Sequence, residues 1–313
     1  MNALPPAAGR PLAWDAERLW QQLQPLLPGV TVEVVARCES TNTVLLDRAR
    51  ESSGWPDQPI TAPGALDALQ ALPAMPALPH GRRLGDTQPC LLVAEQQTHG
   101  RGRLGRPWQS QAGASLTFSL SLPLAPADWS GLSLAVGVAL ADALDPPDAG
   151  RAPRIGLKWP NDLWLIDAPG RGRKLGGILI ETVAVGRNRM AVVGVGLNVA
   201  PQPVHDLTSG YACLQELDAR ATAPAALHRV VPALALGLRR YERAGFAAFA
   251  DAYALRDLLC GQPVTTTSPG AAEGIALGVR ANGALRVRSA DGRLHEITSG
   301  DVSVRPAASE RDR

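Results

Sequence analysis

Five apolar runs of strand character between Pro89 and Asn198, with one helix-like stretch among them, limit the folds open to this chain more than any other feature. The runs are CLLVAE, SLTFSLSL, GLKWPNDLWLI, KLGGILIETV and MAVVGVGLNV, rich in leucine and β-branched residues. The helical stretch, about 132–144, falls between the second and third runs. Upstream, apolar residues at helical spacing over 15–27 precede a strand-like VTVEVVA at 30–36, and a helix starts near Thr41 or Asn42. Downstream lie helical segments near 223–241 and 246–255. Together they describe an α+β fold built on a mixed α/β layer. From Gly261 to Arg305, short strands divided by turn signals at Asn282-Gly283 and Asp291-Gly292 predict a small β-barrel of hairpins. The expected domains are therefore 1–259 and 260–313. A stretch over about 52–89, rich in Pro, Ala and Gly and without a sustained period, reads as an insertion outside the core.

A chain of 313 residues, 45% hydrophobic, is long enough for one large core and a smaller module. Its formal charge of +2, with acids and bases nearly balanced, gives no support to a polyanion-binding surface. One helix in the first 30 residues is fewer than a helix-turn-helix domain needs, so no DNA contact is expected. The start, MNALPPAAGR, places prolines where a signal peptide is apolar, and no apolar run is long enough to span a bilayer. The expectation is a cytoplasmic protein without a membrane partner. Cys38, Cys90, Cys213 and Cys260 lack the C-x-x-C spacing of a zinc or redox site and are expected to be reduced and buried, with no resident metal site.

Of 31 basic residues only Lys158 and Lys174 are lysine. Arg is used wherever a positive charge suffices, so two lysines sixteen positions apart point to a local demand for a compact ammonium. Between two predicted strands, GRGRLGRPW packs Gly100, Gly102 and Gly105 among Arg101, Arg103 and Arg106. Glycine lets backbone N–H groups approach an anion, and guanidinium forks match carboxylate or phosphate oxygens, so the run suits an anion clamp. Its G-x-G-x-x-G spacing is not a dinucleotide fingerprint, because Pro107-Trp108 and a strand follow where a helix should open. Lys174 precedes Leu175 rather than a hydroxyl residue, which excludes a Walker A loop. In KWPND, Pro160 bends or ends a strand and offers Asn161 and Asp162 at its tip; KLGGILIE sets Lys174 at a strand entrance; GVGLN sets Asn198 at a strand end.

Ser40-Thr41-Asn42, GRGRLGR, KWPND, KLGGIL and GVGLN occur in the order found in biotin protein ligases, which this chain resembles densely over about 30–200 and more faintly to GDVSVR near its end. The resemblance implies a class II synthetase-like catalytic domain followed by an SH3-like β-barrel. It implies activation of biotin by ATP to biotinyl-5'-AMP, with Mg²⁺, and transfer to a lysine of a biotin carboxyl carrier protein of acetyl-CoA carboxylase or a similar carboxylase. Biotin would be bound by Ser40, Thr41, Asn42, Gln97, Arg101, Gly102, Arg103 and Lys174. ATP would meet Arg103, Arg106, Trp108, Asn161, Asp162, Lys174, Asn198 and Arg305, and Lys174, Arg103 and Asp162 would serve the chemistry. A monomer or homodimer is expected. The chain departs from the family pattern at Leu104, often basic, in its long 52–89 segment, and in lacking an N-terminal DNA-binding domain. Two alternatives stand beside this reading: a lipoate or octanoate ligase of the same fold, and a non-catalytic biotin sensor.

Overall fold

A computed structural model describes residues 12–52, 87–204, 209–268 and 271–298 and the backbone of 304–306. Nearly all of the 52–89 stretch lies outside the described residues.

The strand-like runs form one seven-stranded sheet in the order β1-β2-β3-β7-β6-β5-β4. Its strands are β1 (Thr31–Cys38), β2 (Cys90–Gln97), β3 (Ser115–Pro123), β4 (Ile155–Lys158), β5 (Asp162–Ala168), β6 (Arg171–Val185) and β7 (Asn188–Asn198). β1 runs parallel to β2, and every other neighbouring pair is antiparallel, giving the mixed layer the sequence predicts. GLKWPNDLWLI is two strands rather than one. Lys158 pairs with Asp162 in a tight hairpin whose turn holds a cis Trp159–Pro160 bond.

Alternation along β3 divides the sheet into two unlike faces. Leu116, Phe118, Leu120 and Leu122 enter the main core, with α1 (Ala16–Leu23), α3 (Leu132–Leu144) and α4 (Ala223–Ala244) on that side. Ser115, Thr117, Ser119 and Ser121 point the other way and are also buried. That second face is covered by α2 (Thr41–Ser52), whose Leu45 and Leu46 pack on Leu92 and Val192. α2 needs no apolar stripe along its whole length, because its first turn meets the small polar side chains of β3.

The segment predicted as one helix over 246–255 is a 3-10 turn (Phe246–Phe249) followed by α5 (Ala250–Ala254). A five-stranded antiparallel sheet, β11-β10-β9-β8-β12, follows: β8 (Pro263–Thr266), β9 (Glu273–Val279), β10 (Leu285–Arg288), β11 (Leu294–Ile297) and β12 (Val304–Pro306). Both expected turns form its hairpins, with Gly283 at φ 79° and Gly292 at φ 81°, where a side chain would be strained. Val264, Ala276, Leu285, Val287 and Ile297 belong to the same core cluster as the large sheet. No helix among the described residues is long and apolar enough to cross a membrane. All four cysteines are free, but only Cys213 is buried: Cys38 and Cys90, at the last position of β1 and the first of β2, are half-buried, and Cys260 is exposed.

Candidate active site

The site forms on the α2 face, where strand register sets small residues side by side. Thr117 of β3 pairs with Gly196 of β7, Gly196 with Gly177 of β6, and Gly177 with Asp162 of β5. The next row joins Ser119, Gly194 and Leu179. Missing side chains in these rows leave a cavity of about 590 Å³ above the sheet. A Cβ on Gly194 would lie 2.2 Å from Oδ1 of Asn42, and one on Gly196 would lie 2.4 Å from Cε2 of Trp108. The glycines of GVGLN thus seat two predicted ligand residues on β7.

At the α2 end, Ser40, Thr41 and Asn42 are buried and line the cavity with Gln97. Both the Thr41 N–H and its hydroxyl donate to Gln97 Oε1, at 2.7 and 3.2 Å. Across it lies the basic loop, whose ends are pinned by Trp108 N–H to the Gly100 carbonyl (2.8 Å) and Gly102 N–H to the Arg106 carbonyl (2.7 Å). Arg101, Gly102, Arg103, Arg106 and Trp108 all border the cavity. Leu104, at the loop tip, is exposed with φ 57°, a left-handed conformation that a leucine adopts only at a cost.

Lys174 enters from β6, its Nζ 2.8 Å from Asp162 Oδ1 and 5.9 Å from the centre of the Trp108 ring. The Trp108 Nε1 is buried with no hydrogen-bond partner, packed against Gly196 of β7. Asn161 and Asn198 also border the cavity but spend amide donors on the main chain: Asn161 on the Ile178 carbonyl (2.7 Å), Asn198 on those of Lys174 (3.2 Å) and Ala212 (3.0 Å). They hold the hairpin tip and the Lys174 strand in place. Arg305 lies on the β12 backbone opposite Thr265, and its side chain, with the predicted ATP contact, lies outside the described residues. Every other predicted site residue borders the one cavity.

The motifs assign no role to Ser119, to Glu181 or to the loop wall over 202–204 and 209–211. Ser119, fully buried, sets its hydroxyl 2.7 Å from Thr41 Oγ1 and 2.6 Å from Asn42 Oδ1. Glu181 accepts from Asn42 Nδ2 at 2.9 Å and pairs with Arg101 at 3.6 Å. Gln202, Val204, Ser209, Gly210 and Tyr211 close a further wall. Lys158, the other lysine, borders the cavity with its ammonium 4.4 Å above the Trp164 ring. The alternation of Ser and Thr with apolar residues in SLTFSLSL was the available signal for Ser119; the others look like ordinary strand and loop residues.

A mixed sheet with a cation-lined cavity on one face, joined to a small antiparallel sheet, defines an α/β domain with a β-rich appendage. Residues 84–198 match the Biotin/lipoate A/B protein ligase family, and residues 259–305 match the Biotin protein ligase C terminal domain. The chain is 32% identical over 94% of its length to the bifunctional ligase/repressor BirA of Salmonella typhimurium, covering 79% of that protein. It is 35% identical over 69% of its length to the biotin--[acetyl-CoA-carboxylase] ligase of Mycobacterium tuberculosis, again covering 79% of the relative. A solved biotin protein ligase from Aquifex aeolicus, in complex with biotin and ATP, has the same fold, with a TM-score of 0.62, 24% identity and coverage of 90% of this chain and 100% of that one. This chain belongs to the biotin protein ligase family.

Proposed function

We propose that this chain joins the carboxylate of biotin to AMP at the expense of ATP, then passes the biotinyl group to one lysine of a biotin carboxyl carrier protein, as in acetyl-CoA carboxylase. The observation that carries this reading is the meeting of Arg101, Arg103 and Lys174 around one cavity whose far end holds Ser40, Thr41, Asn42 and Gln97. The family of the C-terminal match favours biotin over lipoate.

A carboxylate titrating near 4 is already ionised at neutral pH, so the first step needs no base. Its obstacle is repulsion. Two unit charges 4 Å apart cost about 4 kcal/mol at an effective dielectric near 20, and about 1.4 kcal/mol is tenfold in rate. Arg101, Arg103 and Lys174 offset that repulsion where the two anions meet. Mg²⁺ entering with ATP would add charge neutralisation on the phosphates. Among the described residues no three His, Cys, Asp or Glu side chains cluster to hold a metal. An ion carried in by the phosphates would need only one or two carboxylates, and Asp162, which borders the cavity, would supply one. In the second step the carrier lysine, with a pKa near 10.4, must shed a proton. Asp162 stands beside the Lys174 ammonium, where it orients the incoming amine or accepts its proton.

Mass spectrometry of a carrier domain incubated with the chain, biotin and MgATP tests the reading. One biotinyl group on one lysine, dependent on ATP, is expected; an unmodified carrier together with no biotin-dependent pyrophosphate exchange would sink it.

A further inference from the structure

We propose that Glu181 is a positioning residue whose carboxylate sets the Arg101 guanidinium, and with it the basic loop, in register with the α2 end of the cavity. The inference rests on the biotin reading above and deepens it by giving a role to the last residue of KLGGILIE, which the motif reading leaves without one. Glu181 lies on β6 two residues beyond Leu179 and four beyond Gly177, and so on the same face as the cavity floor. Its Oε2 accepts from Asn42 Nδ2 at 2.9 Å and stands 3.6 Å from Arg101 Nη2.

Asn42 also donates to the Leu179 carbonyl at 3.1 Å, and its Oδ1 faces the Ser119 hydroxyl. That hydroxyl reaches Thr41 Oγ1, and Thr41 reaches Gln97. One unbroken chain of polar contacts therefore runs from Gln97 through Thr41, Ser119, Asn42 and Glu181 to Arg101. Thr41, Ser119 and Asn42 are 3% exposed or less, so their partners are not readily replaced by water, while Glu181, 31% exposed, stands where this buried run reaches the loop. Arg101 is different: 44% exposed, on a loop, with a long side chain whose rotamers must be frozen before it can grip a ligand. A fixed carboxylate beside it meets part of that cost in advance. With five N–H donors, a guanidinium can keep Glu181 and still present N–H groups to a substrate carboxylate.

The test compares biotin with the analogue whose carboxylate is reduced to an alcohol, by calorimetric binding to the full chain. Glu181→Gln keeps the acceptor for Asn42 and removes the charge that holds Arg101. It is expected to weaken biotin by about fivefold, the upper scale of a partly exposed ion pair, and the alcohol by less than about twofold. Adding it to Arg101→Gln should cost biotin little more, because the two act as a unit. Equal losses on both ligands would show mere structural support and overturn the proposal, as would unchanged biotin binding. Glu181→Asp, with the charge on a shorter arm, decides if the Gln variant fails to fold: a smaller loss confined to biotin supports the proposal, and an equal loss on both, or none, overturns it. Failure of the unsubstituted chain to bind biotin would instead bring down the underlying reading, and this inference with it.

Discussion

A methyl group at Gly196 would stand 2.4 Å from the Trp108 indole, so the cavity depends on a side chain that is not there. Gly196→Ala forces either the ring or β7 to move, and overpacking of this kind costs about 1–3 kcal/mol. The expected outcome is a KM for ATP raised by about tenfold with a smaller change for biotin. Steady-state pyrophosphate exchange would check it, and an unchanged KM would separate Trp108 from the nucleotide. Asp162 poses the opposite case, a charge already committed to Lys174 at 2.8 Å. Asp162→Asn removes both the partner of that ammonium and the nearest acceptor for a carrier proton. Single-turnover transfer from preformed biotinyl-AMP is expected to slow by about 10²-fold, the scale of one acid–base group. Transfer at the normal rate would take Asp162 out of the chemistry.

The basic loop is the element on which retention of the intermediate depends. Its two pinned ends leave Arg103, Leu104 and Gly105 as a short 3-10 turn over the cavity, with consecutive left-handed residues at its tip. A mixed anhydride is easily hydrolysed, so a loop that closes over it also keeps water away. Arg103→Gly should therefore release biotinyl-AMP into solution and label bystander lysines, which mass spectrometry of an added unrelated protein would detect. Full retention of the adenylate would count against the loop as a clamp. This element can be read from the sequence because dense Gly and Arg betray a backbone that must bend and charges that must gather. The hairpin turns of the small sheet are equally legible, since Asn-Gly and Asp-Gly supply the positive φ such turns require. Strand order is not: β3 pairs with β7 across the whole of α3 and three intervening strands. Ser119 and Glu181 stay hidden for the same reason, since their meaning comes from Thr41, 78 positions away, and Asn42, 139 positions away.

At the scale of the whole molecule, the two sheets are joined around a buried arginine and two carboxyl groups whose titrations shift in opposite directions. Arg256 is 3% exposed and reaches Asp142, Asp145 and the Ile155 carbonyl, while residues 256–258 pair with the edge strand β4 through Leu157. Trp159 bonds across to the Gly283 carbonyl at 3.0 Å, closing the joint from the other side. Burial alone would raise the Asp145 carboxyl, but the amides of Ile155 and Arg154 and the guanidiniums of Arg151 and Arg256 outweigh it and hold it below its ordinary value. Its contribution is present above the unfolded value of 3.8 and lost as pH falls through the folded one. Asp257 behaves in the opposite sense. Burial, with Oδ2 sealed and unpartnered, pushes its carboxyl up to about 6 against hydrogen bonds from the Leu259 and Cys260 amides. The fold favours the protonated acid, so that contribution is whole below 3.8 and lost as pH rises through about 6. Asp257→Asn supplies a neutral isostere and should stabilise the chain at pH 7.5 by roughly 1–2 kcal/mol after a discount for partial solvent screening, with little gain at pH 4. Chemical denaturation at the two pH values measures the difference. A gain of equal size at both would mean that the amide improves packing rather than relieving a charge, and a loss at pH 7.5 would mean that the carboxylate is needed at the joint.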